Sequence, residues 1–215
     1  MKRLAEAFNI PVITLDGFEA DDIIGTLARR ADEDGRFETF MVTPDKDFAQ
    51  LVSETTRIYK PGRQGSDHEI LSLEDILEKW EVERPEQVID ILGLWGDTSD
   101  NIPGIPGIGE KTSKKLVKQF GSAEALLKNT DKLKGKQKEN VINFGEQGLL
   151  SKQLATINRD VPVEISLDDL VVQDYHEDQL QAFFIEFEFN TLGQRLFGKD
   201  RSGQLGNDWE RGEAV

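Results

Sequence analysis

Asp97-Thr98-Ser99-Asp100-Asn101-Ile102-Pro103-Gly104-Ile105-Pro106-Gly107-Ile108-Gly109 runs directly into Glu110-Lys111-Thr112-Ser113-Lys114-Lys115-Leu116-Val117-Lys118-Gln119-Phe120. The second half has helical spacing, and three glycines and two prolines rule out helix in the first. Glycine lets a backbone approach a ligand closely, and the free N–H groups at a helix start favour phosphate. Lysines 111, 114, 115 and 118 flank that start. A plain tight turn between two helices is the competing explanation, and a lone Gly-Ile-Gly would merit it. Gly-Ile-Pro-Gly-Ile-Gly-Glu-Lys-Thr beside paired aspartates is far more specific. The candidate phosphate contacts are therefore Gly104, Gly107, Gly109, Lys111, Thr112, Lys114, Lys115 and Lys118. Contacts of this kind grip a nucleic-acid backbone without reading bases, so binding is expected to be sequence-independent and salt-sensitive.

Charge is distributed to match. The chain of 215 residues carries a net charge of −15, which taken alone argues against a polyanionic partner. Residues 103–138, however, hold nine lysines against three acids, a local +6, which leaves −21 on the remainder. A charge run alone usually means a solvated helical face; the adjoining glycine hairpin gives this one a second explanation.

Downstream and upstream of the hairpin the pattern is helical, with helices expected over 73–80, 85–94, 110–120, 123–128, 136–144, 149–157 and 177–187. Pro85 suits a first helical position. Phe183, Phe184 and Phe187 on the last helix read as core packing. The front of the chain alternates instead. Ile10-Pro11-Val12-Ile13-Thr14-Leu15 reads as a buried strand, and a helix follows over 20–31, with Gly35 closing its turn. A strand is expected over 37–43, then a short helix bearing Phe48, Leu51 and Val52, then a strand over 56–60. That alternation implies a parallel sheet with flanking helices. From Gly198 the tail is polar and Gly-rich, and reads as a linker.

Three acidic clusters fall at telling positions: Glu19-Ala20-Asp21-Asp22 where a strand gives way to a helix, Asp45-Lys46-Asp47 after the next strand, and Asp97 with Asp100 after the apolar helix ending at Trp95. Sites in open sheets form beyond the carboxyl ends of strands. Singly, each cluster is explained by helix capping. Converged, seven carboxylates without matching cationic residues would repel one another unless cations offset the charge. All-oxygen ligands suit a hard ion, Mg²⁺ or Mn²⁺. Two such ions about 4 Å apart commonly drive phosphodiester cleavage, one activating water and the other stabilising the departing oxygen.

Phe18-Glu19-Ala20-Asp21-Asp22, Thr43-Pro44-Asp45-Lys46-Asp47 and Gly96-Asp97-Thr98-Ser99-Asp100-Asn101-Ile102-Pro103-Gly104 together resemble the 5′ nuclease domains of bacterial DNA polymerases I, a group that includes flap endonucleases and phage 5′ nucleases. The resemblance runs unbroken over about residues 3–197. It implies a PIN-like α/β core over 1–80, a helix–three-turn–helix DNA-binding region over 81–197 and a tail over 198–215. It also implies metal-site roles for Glu19, Asp21, Asp22, Asp45, Asp47, Asp97 and Asp100, with the six aspartates catalytic, and K⁺ at the 104–109 hairpin. The substrates it implies are duplex DNA with 5′ flaps or nicks and RNA primer–DNA junctions, in a bacterial cytoplasm at the nucleoid. Family members begin with a further strand carrying another aspartate, then one more aspartate and a basic helical arch. This chain starts after those parts, so it is expected to be a fragment of a longer protein that also carries polymerase domains, with weak metal and DNA binding and poor cleavage alone.

Other classes stay open at this point: a non-catalytic duplex-DNA-binding module that keeps the hairpin, a PIN-type ribonuclease, and an acidic globular domain with chance motifs. Composition narrows the field further. Hydrophobic residues make up 37% and charged residues 31%, as in a globular chain. No run approaches the length of a membrane span. With no cysteine, disulfides and thiolate metal sites are excluded.

Overall fold

The computed structural model describes residues 1–62 and 67–198, so all of the expected linker except Gly198 lies outside the described residues. The chain divides into two compact units, one of Leu15–Leu167 and the other of Met1–Thr14 with the chain from Asp168 onward.

In the larger unit, helix α2 (Ala20–Asp34) is bracketed by its caps. Glu19 and Asp22 form a reciprocal capping box, and Gly35 ends the helix in the left-handed region at φ 75°. Its buried face carries Ile23, Ala28 and Ala31. The strand after it, β1 (Thr39–Val42), pairs in parallel with β2 (Thr56–Lys60), Thr39 opposite Thr56 and Val42 opposite Tyr59. The crossover between them contains a 3-10 turn, Asp47–Leu51, whose residues are all buried. A third strand, β3 (Glu69–Leu71), runs antiparallel to β2 and was not expected. The sheet, in the order β1-β2-β3, is therefore mixed rather than wholly parallel. Three residues are too few to show alternation, so β3 left no readable signal.

The stretch 10–15 forms no ladder, and its Val12 is 44% exposed, which corrects the expectation of a buried strand. An apolar, β-prone run becomes a strand only where an edge is available to satisfy its backbone.

Beyond the sheet, helices α3 (Leu73–Trp80), α4 (Gln87–Trp95), α5 (Glu110–Phe120), α6 (Ala123–Lys128) and α7 (Gly135–Leu154) continue the unit. Ser72 caps α3 through a box with Asp75. Pro85 lies in the turn before α4 rather than at its first position, its carbonyl accepting from Val88 N at 3.0 Å. The two helices expected over 136–144 and 149–157 are one. Gly145 and Gly148 do not break α7 because they sit at contacts: an added Cβ would lie 2.4 Å from Leu127 at Gly145 and 2.8 Å from Ile105 at Gly148. Small residues there let neighbours approach, and that packing outweighs glycine's helix cost of about 1 kcal/mol. Gly93 does the same for α4, whose backbone passes so close to Lys152 that a Cβ would fall 2.5 Å from the lysine's own. One apolar cluster joins sheet and helices, from Met41, Leu51 and Ile58 through Ile91 and Leu92 to Leu126 and Val141.

The smaller unit contains α1 (Lys2–Ala7), α8 (Glu177–Glu186) and α9 (Asn190–Phe197). Ala7, Leu180, Phe183 and Phe184 form its core, as the aromatic stripe suggests, although Phe187 remains 46% exposed. Arg3 joins α1 to α8 by paired bonds to Glu186 at 2.9 and 2.6 Å.

Candidate metal centre and duplex-binding face

The three acidic clusters meet in the larger unit. Asp47, Asp97 and Asp100 each offer a carboxylate oxygen, and the three oxygens lie within 4.8 Å of one another. Glu19, Asp21, Asp22 and Asp45 line, with Asp47 and Asp100, a cleft of about 690 Å³ whose other wall includes Leu150, Gln153 and Leu154 of α7. The seven acids thus share one region. Among the described residues only Asp47, Asp97 and Asp100 approach as a tight group.

Hydrogen bonds hold Asp22, Asp45 and Asp97. Asp22 accepts from Glu19 N at 3.3 Å and from Asn158 N at 2.8 Å, so its capping role is real. Asp45 follows the strand end, where Pro44 stops the ladder, and its Oδ1 accepts from Asp47 N at 2.9 Å to start the 3-10 turn. Asp97, 6% exposed, accepts from Ser99 N at 2.9 Å and Ser99 Oγ at 2.7 Å. Its backbone pairs with Ile102 across a short bridge, which turns the chain into the hairpin.

Asp47 is different. It is 8% exposed and its buried Oδ1 has no hydrogen-bond partner. Burial, then the charges of Asp45 and Asp97, push its carboxyl up to about 7, against a smaller opposing pull from Lys46. Burial also raises Asp21, with Asp45 and Glu19 adding to it. At Asp97 burial pushes up as well, but hydrogen bonds from Lys46 and Ser99 together outweigh it and hold the group below the usual carboxylate range. A buried carboxyl with an unpartnered oxygen, on a residue grouped with two other carboxylates, fits a hard cation.

One cation is already in place, contrary to the expectation that the acids lack one. Lys46 Nζ lies 2.5 Å from Asp97 Oδ2 and 4.8 Å from the centre of the Trp95 ring. Its position between Asp45 and Asp47 in the chain was the available signal. Gln50 and the wall contributed by α7 also went unseen in the sequence.

The hairpin is shaped by glycine at specific points. Gly104 has φ +60°, and a Cβ there would meet Gly96 N and Trp95 C and O at 2.5 Å. Gly104 is buried; its N–H donates to Ser151 Oγ at 3.1 Å and its carbonyl accepts from Gln147 Nε2 at 2.6 Å. It therefore sets the shape of the loop. Gly109, the N-cap of α5, has open space where a Cβ would be, which leaves the helix start accessible. Lys111, Lys115 and Lys118 are exposed, and Thr112 is half-buried. Lys114 is engaged: its ammonium donates to Lys79 O at 2.9 Å and Glu110 Oε1 at 2.7 Å, and lies 5.6 Å from the Trp80 ring centre.

Two family models match this chain, the 5′-3′ exonuclease N-terminal resolvase-like domain over residues 1–81 and the 5′-3′ exonuclease C-terminal SAM fold over residues 83–178. The chain belongs to the 5′-3′ exonuclease family. Within this family it is 45% identical to DNA polymerase I of Bacillus subtilis over 93% of its own length and 22% of that protein's. It is 41% identical to DNA polymerase I of Chloroflexus aurantiacus over 89% of its length and 20% of that protein's. The chain thus spans about a fifth of the length of the curated relatives it matches. Its fold is like that of a mutant T5 5′-exonuclease, with a TM-score of 0.61 and 22% identity over 71% of this chain and 63% of that one. It is also like the catalytic core of Rad2 in complex with DNA substrate, with a TM-score of 0.58 and 19% identity over 91% of this chain and 66% of that one. A bacteriophage T5 flap endonuclease, in a pseudo-enzyme-product complex with DNA and metal ions, gives 0.60 at 23% identity over 69% and 53% of the respective chains. These likenesses fix the fold as PIN-like α/β with a helical region.

Proposed function

We propose that this chain is the 5′ nuclease part of a DNA polymerase I, hydrolysing phosphodiesters at 5′ flaps, nicks and RNA primer–DNA junctions. The observation that carries the reading is the meeting of Asp47, Asp97 and Asp100 oxygens within 4.8 Å, from two separate segments of chain. Asp47, Asp97 and Asp100 would hold one divalent ion, and Glu19, Asp21, Asp22 and Asp45 would complete the cleft for a second. Mg²⁺ or Mn²⁺ bound there supplies Lewis-acid polarisation of the scissile phosphate and of the attacking water. The chain's own residues place the substrate. The start of α5 and Lys111, Lys115 and Lys118 hold the phosphate backbone, with Thr112 and Gly107 beside them. Gly104 keeps the hairpin close to Asp97. Potassium at the hairpin rests on the family resemblance alone.

The meeting point of the family matches near residue 81 supports dividing the α/β core of 1–80 from the DNA-holding region of 81–197 at that point, although residues 1–14 pack with those from 168 onward as a separate unit. The short span relative to the curated relatives supports polymerase domains in the same polypeptide; work in a bacterial cytoplasm at the nucleoid rests on the family resemblance alone. Among the described residues, no helix is long and apolar enough to cross a membrane.

The test is a 5′-labelled flap duplex offered to the chain with Mg²⁺ or Mn²⁺, beside Asp97→Asn. Metal-dependent release of the labelled end, weak from this chain alone and vanishing in the variant, is the expected result. Salt-sensitive duplex binding without any metal-dependent cleavage would favour the second reading, a non-catalytic duplex-binding module, which the accessible start of α5 also supports.

A further inference from the structure

Gln50 is 3% exposed, yet it takes no direct part in the acid cluster or the hairpin. Its Nε2 donates to Asp47 O at 3.0 Å and to Ala155 O at 2.9 Å, while its Oε1 accepts from Ile157 N at 3.0 Å. Both amide hydrogens and the amide oxygen are therefore used, all on backbone. Two of these bonds tie the 3-10 turn to the chain just beyond α7, and the third holds the Asp47 carbonyl within the turn.

Helix α7 is also the element that holds the hairpin. Asn140 Nδ2 donates to Pro106 O at 2.7 Å, Gln147 Nε2 donates to Gly104 O, and Ser151 Oγ accepts from Gly104 N. From Asn140 to the end of α7 is about 20 Å at the helical rise. A single rigid rod thus fixes the hairpin along its length and the Asp47 turn at its end. Beyond it, Asn158 N donates to Asp22 Oδ1, so the same segment also secures the first acidic cluster.

We propose that Gln50 is a positioning residue that clamps the Asp47 turn to the end of α7, and so sets the metal-site carboxylates in register with the duplex-holding hairpin. The proposal rests on the reading of Asp47 as a metal ligand. A Gln50 that merely satisfied buried backbone groups would contribute to stability and leave metal affinity alone. A group that orients a ligand changes affinity by about 10-fold or more when removed.

The experiment uses the full chain and Gln50→Met, which keeps the length and volume but not the hydrogen bonds. Free Mn²⁺ is followed by electron paramagnetic resonance without DNA, duplex affinity is measured by anisotropy in chelator, and melting is followed by circular dichroism. The expected result is a Mn²⁺ Kd raised about 10-fold, with duplex affinity within about twofold of the wild type. An unchanged Mn²⁺ Kd with a lowered melting temperature would overturn the proposal and leave Gln50 a structural residue. Where Gln50→Met does not fold, Gln50→Glu keeps the acceptor for Ile157 and sets a carboxylate against the Asp47 and Ala155 carbonyls; an unchanged Mn²⁺ Kd there overturns the proposal equally. If the wild type itself binds no Mn²⁺, the reading of Asp47 as a ligand fails, an outcome distinct from equal binding by wild type and variant.

Discussion

Replacing Asp47 by Asn should stabilise the metal-free protein at alkaline pH while weakening its response to metal. The Asp47 carboxyl is pushed from 3.8 to about 7 in the fold, chiefly by burial and then by Asp45 and Asp97. A carboxyl raised on folding binds its proton more tightly in the native state. Native stability is therefore greatest below the unfolded value and falls as pH rises from about 4 to about 7, levelling above that. A shift of about three units sets a ceiling of about 4 kcal/mol on the penalty above pH 7. The cleft admits water, so about half of that, about 2 kcal/mol, is the working figure. Asp47→Asn removes the charge and keeps the shape. In chelator at pH 8 it should raise the melting temperature by about 4–8 °C for a chain of this size; at pH 4.5 the gain should fall to about a quarter of that. Added Mg²⁺ should then stabilise the wild type more than the variant, because only the wild type keeps the ligand. Urea and thermal unfolding by circular dichroism at both pH values measure all three effects. A variant no more stable than wild type at pH 8 in chelator would refute the reasoning, since the carboxylate would then cost nothing where it sits.

Lys46→Met should act in the opposite sense on the apo protein: Asp97 loses the cation 2.5 Å away, apo stability drops by about 1–3 kcal/mol, and Mn²⁺ binds several-fold tighter by titration calorimetry because no ammonium competes. Gly104→Ala should cost about 3 kcal/mol or more in urea unfolding, combining a positive φ with a backbone clash, whereas Gly109→Ala should leave stability within about 0.5 kcal/mol and weaken only duplex binding. Lys152→Met should cost about 3 kcal/mol, because Lys152 Nζ lies 2.5 Å from the buried Asp90 and 2.9 Å from Glu124. Hydrogen bonds to Asp90 and Glu124 overcome burial and raise Lys152, so its contribution should persist through neutral pH and disappear only as pH climbs past the ordinary lysine range. Alanine at Lys111, Lys115 or Lys118 should each reduce the slope of log Kd against log salt by about one for duplex DNA, with no preference for base sequence.

What the sequence made legible was local. The capping residues and Gly35 delimit α2, the glycines and lysines mark the hairpin and α5, and the acids point to one site. What it hid depends on partners distant along the chain. The 10–15 stretch has the composition of a strand, but composition does not supply an edge to pair with. The stretch 136–157 reads as two helices rather than one because the residues that Gly145 and Gly148 touch, Leu127 and Ile105, are known only after folding. Arg3 and Glu186 are 183 positions apart, and no periodicity announces their pairing. Lys114 looked like its neighbours in the lysine row, yet only the fold puts Lys79 O and Trp80 against it. Lys46 was visible between two acids, and its significance depended on Asp97 arriving from the end of α4.

Capping and metal binding are often set against each other as explanations for an acid at a helix or turn start, and here they are layered. Asp22, Asp45 and Asp97 each spend an oxygen on backbone N–H groups, which fixes where the carboxylate points. Asp97 gives its second oxygen to a lysine, a partner that an ion could displace. Asp47, held by its turn and by Gln50 through its backbone, keeps a buried side-chain oxygen with no donor at all. Donors therefore stabilise the arrangement without exhausting its capacity for a cation. A cluster of acids made only for capping would satisfy every buried oxygen from within, because leaving one unpaired costs about 1–3 kcal/mol. That the unsatisfied oxygen belongs to the residue grouped with Asp97 and Asp100 is the feature that capping alone does not explain.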